Sequence, residues 1–330
     1  MKIFKLCVMN SVTCLFLLAT HVVKADTDPD VDDWLKKIVS STHQMAYSGT
    51  FVYQAGSYLE TSRITHFVEG VNEHERLEGL GGERSEVIRK NGQVWCYLGG
   101  NKKVVARLEG TRTFPSLLPE HLSLLKENYV ISLGDEDRVA GFSARSIIFQ
   151  PRDKIRYTHK MWVDSSTGLL LKAVVLDAHK HVIEQYMFTQ LQIGGDIDRK
   201  WMVQSGDADL AQADKALSHL QVVNAALEES GWKVYFLPAG FQKIAEVKRH
   251  LRGGHVSVMH IVYSDGLAGV SLFIEQSSDK STIKPGLHDM GLSQVYTKEM
   301  DGYLLTVVGE LPPRTLLQIA ESVRYGGVKK

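Results

Sequence analysis

The spacing of apolar residues changes twice along the chain, and each change predicts a different element. Trp34, Leu35, Ile38 and Val39 recur at helical spacing behind Asp26, Asp28, Asp30, Asp32 and Asp33, with Lys36 and Lys37 following. Carboxylates in a first turn favour a helix there through the aligned peptide dipoles. After Ser48-Gly49 the period falls to two. Residues 50–54 and 62–67 are β-branched and aromatic, the composition of half-buried strands. Residues 87–90 and 93–98 flank Asn91-Gly92, whose tolerance of positive φ predicts a two-residue hairpin. Leu117, Leu118, Leu122, Leu124 and Leu125 predict a short helix within 116–129, bounded by Pro115 and Pro119.

Residues 144–194 read as an antiparallel meander with turns at 151–153, 165–168 and 178–180. Ile155, Tyr157, His159, Met161 and Val163 alternate with Arg156, Thr158, Lys160 and Trp162, so one face enters a core while most of the other meets water. Residues 169–176 are apolar on both faces apart from Lys172. Their second face therefore needs cover, from helices or from a sheet curved around an apolar cavity. The pattern lapses from Gly194-Gly195 to about 215. A second β-rich unit follows: 232–237, 241–251, a turn at Arg252-Gly253-Gly254, 255–263, the hairpin signal Asp265-Gly266, 268–275, and a pair flanking Asp301-Gly302. It closes on Leu316, Ile319, Ala320 and Val323, a helical stripe after Pro312-Pro313, with Thr315 and Gln318 at capping-box spacing. Two domains are predicted, a large β domain at 26–200 and a small α+β domain at 226–326, with a linker region at 201–225.

Composition adds one correction to this picture. At 44% hydrophobic and 23% charged the chain is too apolar for disorder, and 38 basic against 38 acidic residues give no polyelectrolyte character. The first 25 residues, however, have the form of a secretory signal: Lys2 and Lys5, an apolar stretch over 6–20, and Val23-Lys24-Ala25 as a cleavage site. Asn10, Ser11 and Thr13 interrupt that stretch, which is shorter than the ~20 residues a membrane span needs. Cleavage near Ala25 removes three lysines and no acid, leaving 35 basic against 38 acidic groups and Cys96 as the single thiol. An exported chain without an intramolecular disulfide suits a bacterial periplasm. Nucleic acid is disfavoured as a partner.

Catalytic signatures are absent: no G-x-S-x-G elbow, P-loop, H-E-x-x-H or complete dinucleotide fingerprint occurs. No cofactor, catalytic residue or metal site is expected. His179 and His181 lie in a turn with no Cys or third His nearby in sequence, so they read as exposed polarity. Two groups remain. Lys243, Lys248, Arg249, His250, Arg252 and His255 gather on one hairpin, either as a solvated edge or as a site for an acidic peptide or phosphorylated headgroup, with Lys243, Lys248, Arg249 and Arg252 the candidates. Phe51, Tyr53, Trp95, Tyr97 and Trp162 occupy alternating strand positions and, with Leu169 and Leu171, either pack a core or line a lipid cavity.

Many short segments, in order, resemble the RseB/MucB family of periplasmic negative regulators of the sigma-E envelope-stress response. They include YSGTFVY at 47–53, SRITH at 62–66, ERLEGLGG at 75–82, EVIRK at 86–90, DRVAG at 137–141, WVDSSTGLLLK at 162–172 and EQYMFTQLQIG at 184–194. LPAGF at 237–241, HIVYSDGLAGVSLFIE at 260–275 and TVVGELPP at 306–313 extend the match through the second domain. The resemblance implies an N-terminal unclosed antiparallel β-barrel with helices in its concavity, like periplasmic lipoprotein carriers, and a small C-terminal α+β domain. It also implies a non-enzymatic role: binding the periplasmic domain of a transmembrane anti-sigma factor, protecting it from the stress protease, and release by lipopolysaccharide or another amphiphile. A homodimer is open to such a chain. A periplasmic lipid or lipoprotein carrier is the first alternative, and an exported hydrolase the second.

Overall fold

A computed structural model describes residues 30–83, 85–90, 93–98, 102–104, 113–119, 122–199, 230–250, 257–277, 285–290 and 293–326. The expected leader and the whole of the expected linker region lie outside these residues. Helix α1, Val31–Gln44, carries Asp32 and Asp33 in its first turn and buries Trp34, Leu35 and Ile38, the face its spacing predicts. Eleven antiparallel strands follow: β1 Tyr47–Ala55, β2 Tyr58–Glu69, β3 Asn72–Gly79, β4 Ser85–Lys90, β5 Gln93–Leu98, β6 Lys102–Val104, β7 Tyr129–Val139, β8 Phe142–Pro151, β9 Thr158–Asp164, β10 Leu170–Leu176 and β11 Val182–Ile193. Their order is β6-β5-β4-β3-β2-β1-β11-β10-β9-β8-β7, so β1 and β11 meet at the centre and the sheet stays unclosed between β6 and β7. The β4–β5 hairpin pairs Lys90 with Gln93, the two-residue connection expected of Asn91-Gly92.

Where the sequence pattern missed strands, charge pairs explain the miss. In β3 apolar residues are scarce, yet its strand neighbours supply ion pairs: Arg76 Nε lies 2.6 Å from Glu86 and Arg89 Nη1 lies 3.1 Å from buried Glu75. The predicted helix over 116–129 contracts to α2, Ser123–Asn128, because β7 begins at Tyr129.

One sheet face holds the main core. Phe51, Ile64, Met161, Val163, Ala173 and Phe188 pack there against α1 and against Phe114, Leu118 and Leu125. The opposite face of β8–β10 has its own cluster of Val139, Ala144, Trp162, Leu171 and Val174, which covers the doubly apolar β10. Trp162 is thus buried, contrary to the water-facing expectation for that alternation. Its Nε1 donates to Asp137 at 3.1 Å, and the Lys160 and Lys172 ammoniums stand 4.6 and 4.7 Å from its ring centroid.

The small domain comprises β12 Trp232–Val234, β13 Gln242–His250, β14 Ser257–Ser264, β15 Gly269–Gln276, β16 Gly286–Met290, β17 Ser293–Met300, β18 Tyr303–Gly309, helix α3 Pro313–Glu321 and β19 Val323–Tyr325. Six strands form a sheet in the order β13-β14-β15-β18-β17-β16. Leu316, Ile319 and Ala320 of α3 pack on Ile261, Leu272, Leu305 and Val307. Val323 leaves the predicted helical stripe and pairs with Val234 in the β12–β19 ladder. The capping box does not form either: Pro312 is the N-cap without a side-chain bond, and Thr315 Oγ1 instead donates to Ile155 O at 3.0 Å, across the domain boundary.

That boundary is built around Arg156, which the alternation also placed toward water. Its guanidinium lies 2.6 Å from Asp265 of the β14–β15 turn, 2.9 Å from Asp153, and donates to Ala239 O at 2.6 Å. Tyr129 donates its hydroxyl to the same Asp265 oxygen at 2.9 Å, and the other oxygen accepts the amides of Leu267 and Ala268. The Arg156 and Asp265 side chains are 1% and 0% exposed. Two small-domain glycines permit the close approach. Gly240, at φ +80°, has the Asn128 side chain where a Cβ would stand, and Gly266, at φ +102°, would set a Cβ 3.0 Å from Leu125. Since removing one member of a buried pair strands the other charge, Asp265→Ala is expected to cost about 3–5 kcal/mol. Calorimetry should show the domains melting in two transitions where the native chain melts in one; an unchanged single transition would refute the latch.

Candidate functional site

The residues just beyond this joint bring chemistry from both domains into one cleft. Strand pairing sets His159 opposite Val175 and Val175 opposite Glu184, and in the next row Met161 opposite Ala173 and Ala173 opposite Tyr186. Paired residues share a face, so both rows point to the concave side. The small domain faces them with Val262, Ser264, Leu267, Val270, Ser271 and Glu310 across a partly open cleft of about 310 Å³. This is near the lower end of ligand-site volumes.

The Glu184 carboxyl is strongly perturbed. Tyr53 donates to its Oε2 at 3.0 Å, and burial, followed by repulsion from Glu310, pushes its pKa up to about 7. The Tyr53 and Tyr186 rings are tilted against each other, with centroids 4.7 Å apart, and the phenol pKa of each is raised by burial and then by the Glu184 charge. On the opposite wall His159 is 8% exposed, and burial holds its pKa down at about 4, so the ring is neutral. Its Nε2 has no hydrogen-bond partner among the described residues. Asp265 stood out only as part of a turn and Glu184 only as part of a matching segment; for Arg156 and His159 the available signal was a charge or a polar ring in an otherwise apolar alternation.

The sequence candidates distribute over several places. Phe51 is a core residue, its ring centroid 5.0 Å from Phe114 and 5.9 Å from Phe188. Leu169 belongs to the same core, and Tyr53 reaches the cleft through Glu184. Trp162 and Leu171 lie in the cluster on the other face, so they do not join Phe51 around one cavity. Tyr97 is half-buried on β5, whereas the side chains of Trp95 and Cys96 fall outside the described residues. On the basic hairpin, Lys248 is exposed and Lys243 lies 2.5 Å from buried Glu246. The Arg249 side chain and Arg252 fall outside the described residues. His181 pairs with Asp177 at 3.1 Å in the β10–β11 turn. Among the described residues no helix is long and apolar enough to cross a membrane.

Comparison with known proteins identifies this architecture. The MucB/RseB N-terminal domain matches residues 30–206, and the MucB/RseB C-terminal domain matches residues 226–324. The sigma factor AlgU regulatory protein MucB of Pseudomonas aeruginosa is 31% identical over 328 residues, covering 96% of this chain and 98% of that protein. The sigma-E factor regulatory protein RseB of Escherichia coli is 25% identical over 326 residues, covering 97% and 98%. Crystallographic MucB in complex with MucA(peri) superposes with a TM-score of 0.69 at 29% identity, covering 91% of this chain and all of that one. A second MucA/MucB complex from Pseudomonas aeruginosa gives a TM-score of 0.71 at 28% identity, with the same coverage. With both domains matched in order over nearly its whole length, the chain belongs to the MucB/RseB family of sigma-factor regulatory proteins.

Proposed function

We propose that this chain is a periplasmic regulator that binds the periplasmic domain of a transmembrane anti-sigma factor, shields it from the protease that starts the envelope-stress response, and so keeps the sigma factor inactive. Lipopolysaccharide or a related amphiphile releases it. The observation that carries this reading is the superposition of both domains on MucB in its complexes with MucA. The buried latch supports it, because a partner lying across both domains needs them in a fixed relation.

Charge complementarity enters through the hairpin. Lys248 with Arg249 and Arg252 offers cations to acidic side chains or phosphates, whereas Lys243 is engaged by Glu246. The relation between partner and amphiphile is a competition between ligands that favour different arrangements of the chain, each shifting the other's affinity by the same factor.

The mature chain is expected to co-elute with the anti-sigma periplasmic domain in gel filtration and to slow its cleavage by the stress protease. Added lipopolysaccharide should restore cleavage. Lipid transfer between vesicles without anti-sigma binding would instead identify a carrier. Reversing Lys248, Arg249 and Arg252 to Glu together should weaken partner or lipid binding by roughly 0.5–1 kcal/mol per charge, measured calorimetrically at low salt; unchanged affinity for both would remove the hairpin from the interface. Trp162→Ala, on the face away from the main core, should lower thermal stability and leave lipid displacement intact in the folded fraction.

A further inference from the structure

We propose that His66 is a buried imidazolium that clasps the C-terminal end of α1 to β3 through Glu73, and that this clasp makes α1 a strap over the apolar core face of the large sheet which loosens as pH rises.

The charge follows from the hydrogen bonds. The His66 side chain, on β2, is 0% exposed. Its Nδ1 stands 2.7 Å from the Met45 carbonyl oxygen and its Nε2 stands 3.0 Å from Glu73 Oε1. A carbonyl oxygen has no proton to give, and neither has an ionised carboxylate, so both ring nitrogens donate. A neutral ring accepting a proton from Glu73 is the other arrangement with two bonds, and the carboxyl rejects it. Burial acts to raise the Glu73 pKa, yet the hydrogen bonds from His43 and then His66 hold it down at about 2. With a proton on each nitrogen the ring is a cation, and its counter-charge lies in contact with it.

Both partners of that cation belong to the attachment of α1. Met45 is the C-cap of the helix, so the imidazolium meets the negative end of the helix dipole. His43, in the last turn of α1, reaches the same Glu73 oxygen through Nδ1 at 3.0 Å. Glu73 thus holds the helix twice, once through His43 and once through His66. Tyr47 stacks on the His66 ring, with centroids 4.8 Å and planes 16° apart, which fixes the direction in which the two N–H groups point. Trp34, Leu35 and Ile38 of α1 share one core with Phe51, Ile64 and Phe188 of the sheet, so the clasp at the end of the helix secures the cover over that face.

The sign of the pH dependence comes from the proton count. A ring that gives up one proton keeps a single N–H for two acceptors, and either Met45 or Glu73 loses its donor. The clasped state therefore holds a proton that the loosened state gives up more readily: the clasp is complete on the acid side of the imidazole range, where Glu73 is still ionised, and is lost as pH rises through that range. The other groups around His66 are Tyr47 from β1, His43 from α1, and Glu73 and Glu75 from β3, with Glu75 opposite His66 in the ladder. The Tyr47 hydroxyl is raised well above its ordinary pKa by burial and then by Glu75, so it stays protonated. Glu75 is raised by burial and lowered by Arg89 of β4, its ion-pair partner at 3.1 Å. His74 lies on the other side of β3, stacked on Phe67.

Nitrogen-15 NMR of the mature chain at about pH 6 should show both His66 ring nitrogens protonated; a bare nitrogen on that ring would overturn the proposal. Amide exchange then reads the strap. Corrected for intrinsic rates, protection at the end of α1, including the Met45 amide bonded to Ser41 O at 3.1 Å, should fall between about pH 6 and about pH 8.5. The fall is at most about tenfold per pH unit, the limit for one linked proton. Uptake of N-phenyl-1-naphthylamine, an apolar probe uncharged throughout this interval, should rise in parallel. His66→Gln keeps one donor and cannot titrate, so it should flatten both responses near their high-pH level, and Glu73→Gln, which removes the counter-charge, should flatten them as well. Protection and uptake that do not change with pH in the native chain, or a full pH response in His66→Gln, would reject the clasp. The NMR and the native pH profile decide the matter without either variant. Capture of the anti-sigma domain enters none of these readouts, so the clasp and the regulatory reading stand or fall separately.

Discussion

The relation of the two domains depends on one buried charge, the Arg156 guanidinium. A cation 1% exposed is tolerable only if its donors are satisfied, and Asp153, Asp265 and the Ala239 carbonyl do this from both domains. Because Asp265 also accepts the Tyr129 hydroxyl and organises its own turn through the Leu267 and Ala268 amides, the pair cannot shift without disturbing β7 on one side and β14–β15 on the other. Hydrophobic contact alone would let two sheets slide. A hydrogen-bonded ion pair selects one register, and Gly240 and Gly266 provide the space in which that register is reached.

From this constraint the cleft follows. Fixing the small domain over the His159 end of β9–β11 brings Glu310 toward Glu184 and closes a cavity over residues that would otherwise face solvent. The raised pKa of Glu184 is a consequence of assembly: burial contributes most, and the second acid comes from the other domain. The latch and the cleft are thereby linked thermodynamically. Any ligand that favours the assembled arrangement strengthens it, and any ligand that needs the cleft open works against the Arg156–Asp265 pair.

Much of this fold was legible in the sequence, and the reasons for the failures are physical. Amphipathic spacing located α1 and the core face of α3, and period-two alternation located β1, β2 and β8–β11, because one-sided burial leaves that pattern. The small second domain was read from the pattern, whereas the unclosed sheet and its interior helices came from the family resemblance, since strand order is a long-range property. Strand β3 was hidden because ion pairs, rather than apolar side chains, stabilise it. Arg156 and Trp162 were misplaced for related reasons. Alternation assigns a side to each residue but not what covers that side: the second domain buries Arg156, and the cluster of Val139, Ala144, Leu171 and Val174 buries Trp162. Thr315 had capping-box spacing, yet the Ile155 carbonyl of the other domain was the acceptor available to it.

The candidate site was harder to read, because it belongs to neither domain. His159 and Glu184 are 25 positions apart and Glu310 lies 126 further on, with nothing in their local sequence to unite them. Only the register His159–Val175–Glu184, together with the latch that orients the small domain, makes them neighbours of one cavity. The balanced charge of the chain points the same way. With no net field to steer a ligand, recognition has to rest on local arrangements in which a few groups are desolvated together, where each electrostatic contact is stronger than on the open surface. The interdomain cleft gathers Glu184, Glu310 and His159 in such an arrangement, whereas Lys248 of the hairpin is exposed to solvent.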